Sequence, residues 1–199
     1  MEVLLEFGPD GGAGKLTVPY ANPSDYFELT FNAEAGRAYR LWVRGKADGD
    51  YWGNDSVFVQ FNGSLSSSGA AVYRIGTADA AAVSIENCSG CGLSRWGWTD
   101  TGWESLGPLV YFATTGPQKI RVQRREDGAS IDQVVLSAGK YLSSAPGAAK
   151  NDSTLLAASS GSSGTTAPPS TGSSEIVIPV AATAALRGKW QVVSDSSAA

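Results

Sequence analysis

Tryptophan and acid side chains crowd two short stretches of this chain. Cys91-Gly92-Leu93-Ser94-Arg95-Trp96-Gly97-Trp98-Thr99-Asp100-Thr101-Gly102-Trp103-Glu104 holds three of the six tryptophans, and Asp50-Tyr51-Trp52-Gly53-Asn54-Asp55 holds a fourth. Aromatic faces pack on the C–H-rich faces of a polyhydroxylated ring, and planar amides and carboxylates bond its hydroxyls. Tyr51, Trp52, Asn54, Asp55, Trp96, Trp98, Asp100 and Trp103 are therefore candidate ligand contacts, with a sugar as the leading ligand. The competing reading is a lid packed on a core, or an interface. Trp42 and Trp190 fall within strand patterns and read as packing residues.

Other chemistry is narrowed by what the 199 residues lack. No histidine occurs, which removes Ser-His-Asp and Cys-His catalysis and the commonest zinc ligand. Carboxylates facing each other across a cleft would be needed for glycoside hydrolysis, and the acids here fall at loop tips. The chain is read as non-catalytic. Cys88 and Cys91, the two cysteines, are spaced as a zinc half-site, a redox pair or a small disulfide. Zinc would need two further Cys or His ligands, so a staple in an oxidising compartment or an unremarkable reduced pair remain. Asp48 and Asp50, beside Asn54 and Asp55, supply oxygen density suited to calcium, or form a solvated turn. The net charge of −4 argues against nucleic acid. Arg121, Arg124 and Arg125 are followed at once by Glu126 and Asp127, as on a solvated strand face. No apolar run is long enough to span a membrane, and the acidic start does not read as a leader. Asn-x-Ser sequons occur at Asn54, Asn62, Asn87 and Asn151.

The elements that would position these residues are mostly strands. Phe27, Leu29 and Phe31 alternate with polar neighbours, and so do Leu41 and Val43 after a turn at 34–37, which together read as a hairpin. Further strands are expected at 56–61, 71–75, 108–113, 119–124 and 130–136, with a short helical suspicion at 77–83. Many short strands with Gly, Asn, Asp and Ser between them imply an all-β antiparallel sandwich. Residues 1–142 form its main body. Residues 143–174 read as a Ser/Gly/Pro-rich linker, and 175–199 as two more strands. Two strands cannot make a core alone, so they must dock on the first block or on another molecule.

Three segments, in order, resemble carbohydrate-binding modules of families 6 and 35 and the malectin-like sandwiches. They are Phe31–Arg44 with its Tyr39-Arg40-Leu41 core, Asn54–Gly63, and Ile120–Leu136. The resemblance implies a jelly-roll, galactose-binding-like fold and a bound polysaccharide or glycan. It also implies a structural calcium for which Asp132 matches one acid, although Pro179 and Ala181 stand where glutamates are expected. The opening strands of such modules are matched here by Ile176-Val177-Ile178 and Trp190–Ser196, at the far end of the chain. Either the module is permuted and closes in cis, or those strands complete a neighbouring copy. A flexible span of about 30 residues reaches roughly 30 Å, which permits both. The expectation is an extracellular or cell-surface carbohydrate-binding module. The alternative is a structural protein that assembles with other copies of itself by strand donation.

Overall fold

The computed structural model describes residues 2–7, 14–159 and 174–198. Among these, thirteen strands run in chain order: β1 (Glu2–Phe7), β2 (Tyr26–Ala33), β3 (Arg40–Ala47), β4 (Ser56–Phe61), β5 (Ser64–Leu65), β6 (Ala81–Ser84), β7 (Gly97–Thr99), β8 (Tyr111–Phe112), β9 (Gly116–Arg124), β10 (Ala129–Ser137), β11 (Glu175–Pro179), β12 (Ala185–Arg187) and β13 (Trp190–Asp195). The one α-helix among the described residues, α1 (Val180–Thr183), is a single turn. One sheet has the order β13-β1-β10-β3-β7, with β11 also against β10, and the other β12-β2-β9-β4-β6. All the ladders are antiparallel, as expected of a sandwich.

The core lies between the sheets. Phe27, Leu29 and Phe31 from β2, Val57, Val59 and Phe61 from β4, and Ile120 and Val122 from β9 meet Leu41, Val43, Ile131, Val134 and Leu136 from β3 and β10. Ile131 and Val134 both point inward although they are three apart. A register shift between Ile131 and Gln133 opposite β3 inserts the extra residue that makes this possible.

The C-terminal strands complete this same sandwich. Gln133–Ser137 of β10 pair with β11, while Ile131 and Ser130, further down the same edge, pair with β1. β12 adds to β2, and β13 lies along β1 with Asp195 opposite Glu2. Ile178, Val180 and Trp190 are core members, and the Trp190 ring meets Phe27 edge-on at 4.8 Å and Phe7 at 5.5 Å. Within this chain the closure is in cis.

Several local expectations give way to tertiary pairing. β2 and β3 do not form a hairpin, because they belong to opposite sheets and the turn between them is a corner. The 77–83 stretch is not helical: Ala81–Ser84 is a strand, held against β4 despite its alanine content. The 71–75 stretch is a loop wrapped around Gln60, whose Nε2 donates to the carbonyls of Arg74, Thr77 and Asp79. In the expected 143–174 linker, 160–173 lie outside the described residues, but 143–159 are laid on the outer face of the six-stranded sheet. There Tyr141, Ala145 and Leu156 cover Trp42, Trp98, Val135 and Val177.

Ile178 tests the cis closure. Its replacement by alanine is expected to cost about 2–5 kcal/mol in urea unfolding, as for a fully buried branched side chain. A loss below about 1 kcal/mol would mean that β11 is not seated in the core.

Candidate functional site

The turn between β3 and β4 carries the most exposed aromatic pair. Two tight turns, Asp48–Asp50 and Trp52–Asn54, follow each other. The Asp48 carbonyl accepts from Tyr51 N and from the Asn54 side chain, and the Tyr51 carbonyl accepts from Asn54 N. Gly53 lets the Tyr51 ring fold over the backbone: a Cβ there would meet ring atom Cε1 at 2.5 Å. The Tyr51 and Trp52 rings lie 5.2 Å apart at 52° to one another. They remain 46% and 59% exposed.

Two loops flank this turn. Residues 85–96 follow β6 and are roped to the turn by Arg95 N donating to Asp50 Oδ1 at 2.8 Å. Cys88 and Cys91 form a disulfide within this loop. Gly92 N donates to the Glu86 carboxylate, and Lys150 Nζ reaches the Cys91 carbonyl, so both sides of the staple are tied down. The loop after β7 is joined to it by Glu104 N on the Asn87 carbonyl and carries Trp103, 53% exposed. Asp100 clasps that loop: its carboxylate accepts from Gly102 N, Gly107 N and Arg40 Nη1, each at 2.7–2.8 Å.

The aromatic candidates thus divide in two. Tyr51, Trp52 and Trp103 face solvent, whereas Trp96 and Trp98 are 0% and 1% exposed. Trp98 lies in β7, opposite Arg44, with its backbone N on the Ala148 carbonyl and its indole on the Thr154 carbonyl. Gly97 allows the approach, since a Cβ would lie 1.8 Å from the Ala149 oxygen. Trp96 sits under Val193 and Ala198 with the Arg44 guanidinium 5.1 Å from its ring centre. Asn54, Asp55 and Asp100 are buried as well, so in this conformation they hold the loops rather than meet a ligand. A Trp-x-Trp alternation, short as it is, was the available hint that one of these tryptophans belongs to a strand.

Asp48, Asp50 and Asp132 are not gathered into a cation site. Asp50 is spent on Arg95 N, and Asp132 is fully buried against Arg44 on the six-stranded sheet. Among the described residues no cluster of three or more His, Cys, Asp or Glu side chains is placed to hold a metal ion. Of the sequons, Asn54 is turned inward, while Asn62 and Asn151 are exposed.

A second pair of acids lies beneath the turn. Asp55 is buried, its carboxylate accepts from Glu86 N at 2.9 Å, and its N–H donates to Glu126. Burial and then the facing Glu126 carboxyl push Asp55 up to about 7. Burial pushes Glu126 up too, but bonds from Ser56, Asp55 and Lys15 outweigh it and hold Glu126 below its ordinary value.

No protein-family model, curated protein or solved structure matches this chain.

The Asp100 clasp is open to mutation. Asp100→Ala leaves the Arg40 guanidinium buried without its partner and should cost about 3–5 kcal/mol in denaturant unfolding. An effect below about 1 kcal/mol would place the pair in water.

Proposed function

We propose that this protein is a non-catalytic binding module that takes carbohydrate on the exposed rings of Tyr51, Trp52 and Trp103. One observation carries the reading. The fold buries Trp42, Trp96, Trp98 and Trp190, yet leaves Trp52 and Trp103 more than half exposed on segments that hydrogen bonds tie to the disulfide-stapled 85–96 loop. A large apolar ring held out in water on a rigid turn suits a ligand with apolar faces, because little ordering entropy is spent on binding. The mutual tilt of Tyr51 and Trp52 suits a curved chain or a chain end better than a flat crystalline surface. Arg95, whose N–H joins the 85–96 loop to the turn, and Glu104, next in the chain to Trp103, are exposed and are the proposed partners for hydroxyl groups.

The non-catalytic part rests on chemistry already described. No histidine is present, and Asp55, Asp100 and Glu126 are buried and bonded within the protein. The disulfide fits an extracellular or cell-surface location. No helix among the described residues is long and apolar enough to cross a membrane.

Affinity electrophoresis against a panel of soluble plant, fungal and bacterial polysaccharides tests the reading. At least one polysaccharide should retard the wild type. Trp52→Ala should weaken that retardation about tenfold or more, as the loss of a central aromatic contact does, without changing the unfolding midpoint. Retardation by none would overturn the reading. Light scattering on the same samples addresses strand donation: cis closure gives a monomer, and a ladder of sizes would favour assembly between copies.

A further inference from the structure

Among the described residues, five other than glycine hold a positive φ: Asp50 (50°), Tyr73 (52°), Arg95 (55°), Glu104 (61°) and Asn151 (52°). In that region Cβ crowds the following carbonyl oxygen, and only glycine, asparagine and aspartate enter it readily. Asp50 and Asn151 are of the tolerant kinds, and Tyr73 packs against the core, so these three have a structural account. Arg95 and Glu104 have none. Both are exposed, and neither side chain makes a hydrogen bond or an ion pair with a described residue. What fixes each in place is its main chain. Arg95 N donates to Asp50 Oδ1 at 2.8 Å, and Glu104 N donates to the Asn87 carbonyl at 2.8 Å. Glycine would keep both bonds and remove the strain.

Both residues adjoin the exposed rings. Glu104 follows Trp103 in the chain, and Arg95 is bonded to Asp50, the residue before Tyr51. The other charges of the 85–96 loop are engaged within the protein, Glu86 with Gly92 N and the incoming Lys150 with the Cys91 carbonyl. Arg95 and Glu104 are the ones left bare. A guanidinium only donates hydrogen bonds and a carboxylate only accepts them, so the two suit a ligand whose groups do both, as sugar hydroxyls do. Their charges also exclude. Glu104, with Asp48 and Asp50 exposed on the turn and a net charge of −4 behind them, repels a polyanion. Arg95 does the same to a cationic group brought to its own loop.

We propose that Arg95 and Glu104 are the specificity-determining residues of the aromatic surface, and that the carbohydrate they select is a neutral polysaccharide. Their strained backbone is retained because the side chains serve the ligand and not the fold. An asparagine would sit in the left-handed region at less cost and still meet a single hydroxyl, but it would exclude neither sign of charge. The inference rests on the carbohydrate reading above and names the class of carbohydrate.

The test pairs folding with binding on the whole chain. Arg95→Gly and Glu104→Gly should each unfold at a urea midpoint no lower than that of the wild type, because the strain removed offsets the freedom that glycine adds to the unfolded chain. Affinity electrophoresis then uses galactomannan, xyloglucan and mixed-linkage β-glucan as neutral ligands, pectate as a polyanion and glycol chitosan as a polycation. At least one neutral polysaccharide should retard the wild type, and each glycine variant should bind it about tenfold more weakly, as for a lost hydrogen bond to a charged group. A lowered midpoint would give the side chain a structural role and overturn the proposal. Equal retardation of wild type and variants would overturn it too. Retardation by pectate or glycol chitosan alone overturns the neutral class and leaves the carbohydrate reading standing. A wild type that no polysaccharide retards overturns both.

Discussion

β10 is buried at all nine of its positions, and the arrangement of the rest of the chain follows from having to cover both of its faces. A strand in an ordinary antiparallel sandwich shows one face to the core and one to water. Here Ile131, Val134 and Leu136 go to the core while Val135 goes outward, to meet Trp42, Trp98 and Val177. An outer face of that composition needs a third layer. The 143–159 strap supplies it, together with the last residues after β13, which close over Trp96.

Covering a sheet with chain that forms no regular structure creates a second requirement, because the strap's backbone groups need partners. Side chains of the sheet meet it. Gln133 bonds both ways with Leu156, Arg44 donates to the Asp152 carbonyl, and Trp42 donates to the Tyr141 carbonyl. The buried pairs Arg44–Asp132 and Arg40–Asp100 lie at the same level. Such pairs add little net stability against an apolar replacement, yet each becomes costly when half is removed. Their effect is to fix position. Arg40 and Asp100 hold the 100–107 loop, and so the place of Trp103, in one arrangement.

Several of the longer strands were legible in the sequence, β4 and β10 among them although both of their faces are covered, and the three-residue β7 was not. β2 alternates in burial as its Phe-x-Leu-x-Phe pattern implies, and β4, β9 and β10 fall within a few residues of their expected bounds. β7 was hidden because its three residues, all buried, are too few to show a pattern. The strap was hidden for another reason. Its Ser, Gly and Ala content is that of a linker, and within it Ala145 and Leu156 are packed against the apolar face. Small residues are what close backbone contact demands, as Ala149 against Gly97 shows, so composition alone cannot separate a spacer from a strap. The aromatic loops failed as a group for the same cause: a tryptophan beside glycines reads alike whether it is covered or bare.

The proposed binding surface is then what remains once the covering layer has been laid. Full burial of a large apolar side chain is worth about 1.5–3 kcal/mol, and the chain takes that gain for Trp42, Trp96, Trp98 and Trp190. Forgoing it at Trp52 and Trp103 calls for a structural cause. At Trp52 the cause is local: the consecutive tight turns, and the Tyr51 ring folded over Gly53, leave the indole no route inward. At Trp103 it is the Asp100 clasp, which closes the loop beneath the ring and holds the ring at the tip. At Trp103 the exposure is thus fixed by a buried polar group, and at Trp52 by a turn whose residues 48–52 are themselves exposed. A side chain kept out of the core by bonds that are themselves buried stays in the same place whether or not a ligand is present. That is the property that a preformed aromatic site requires.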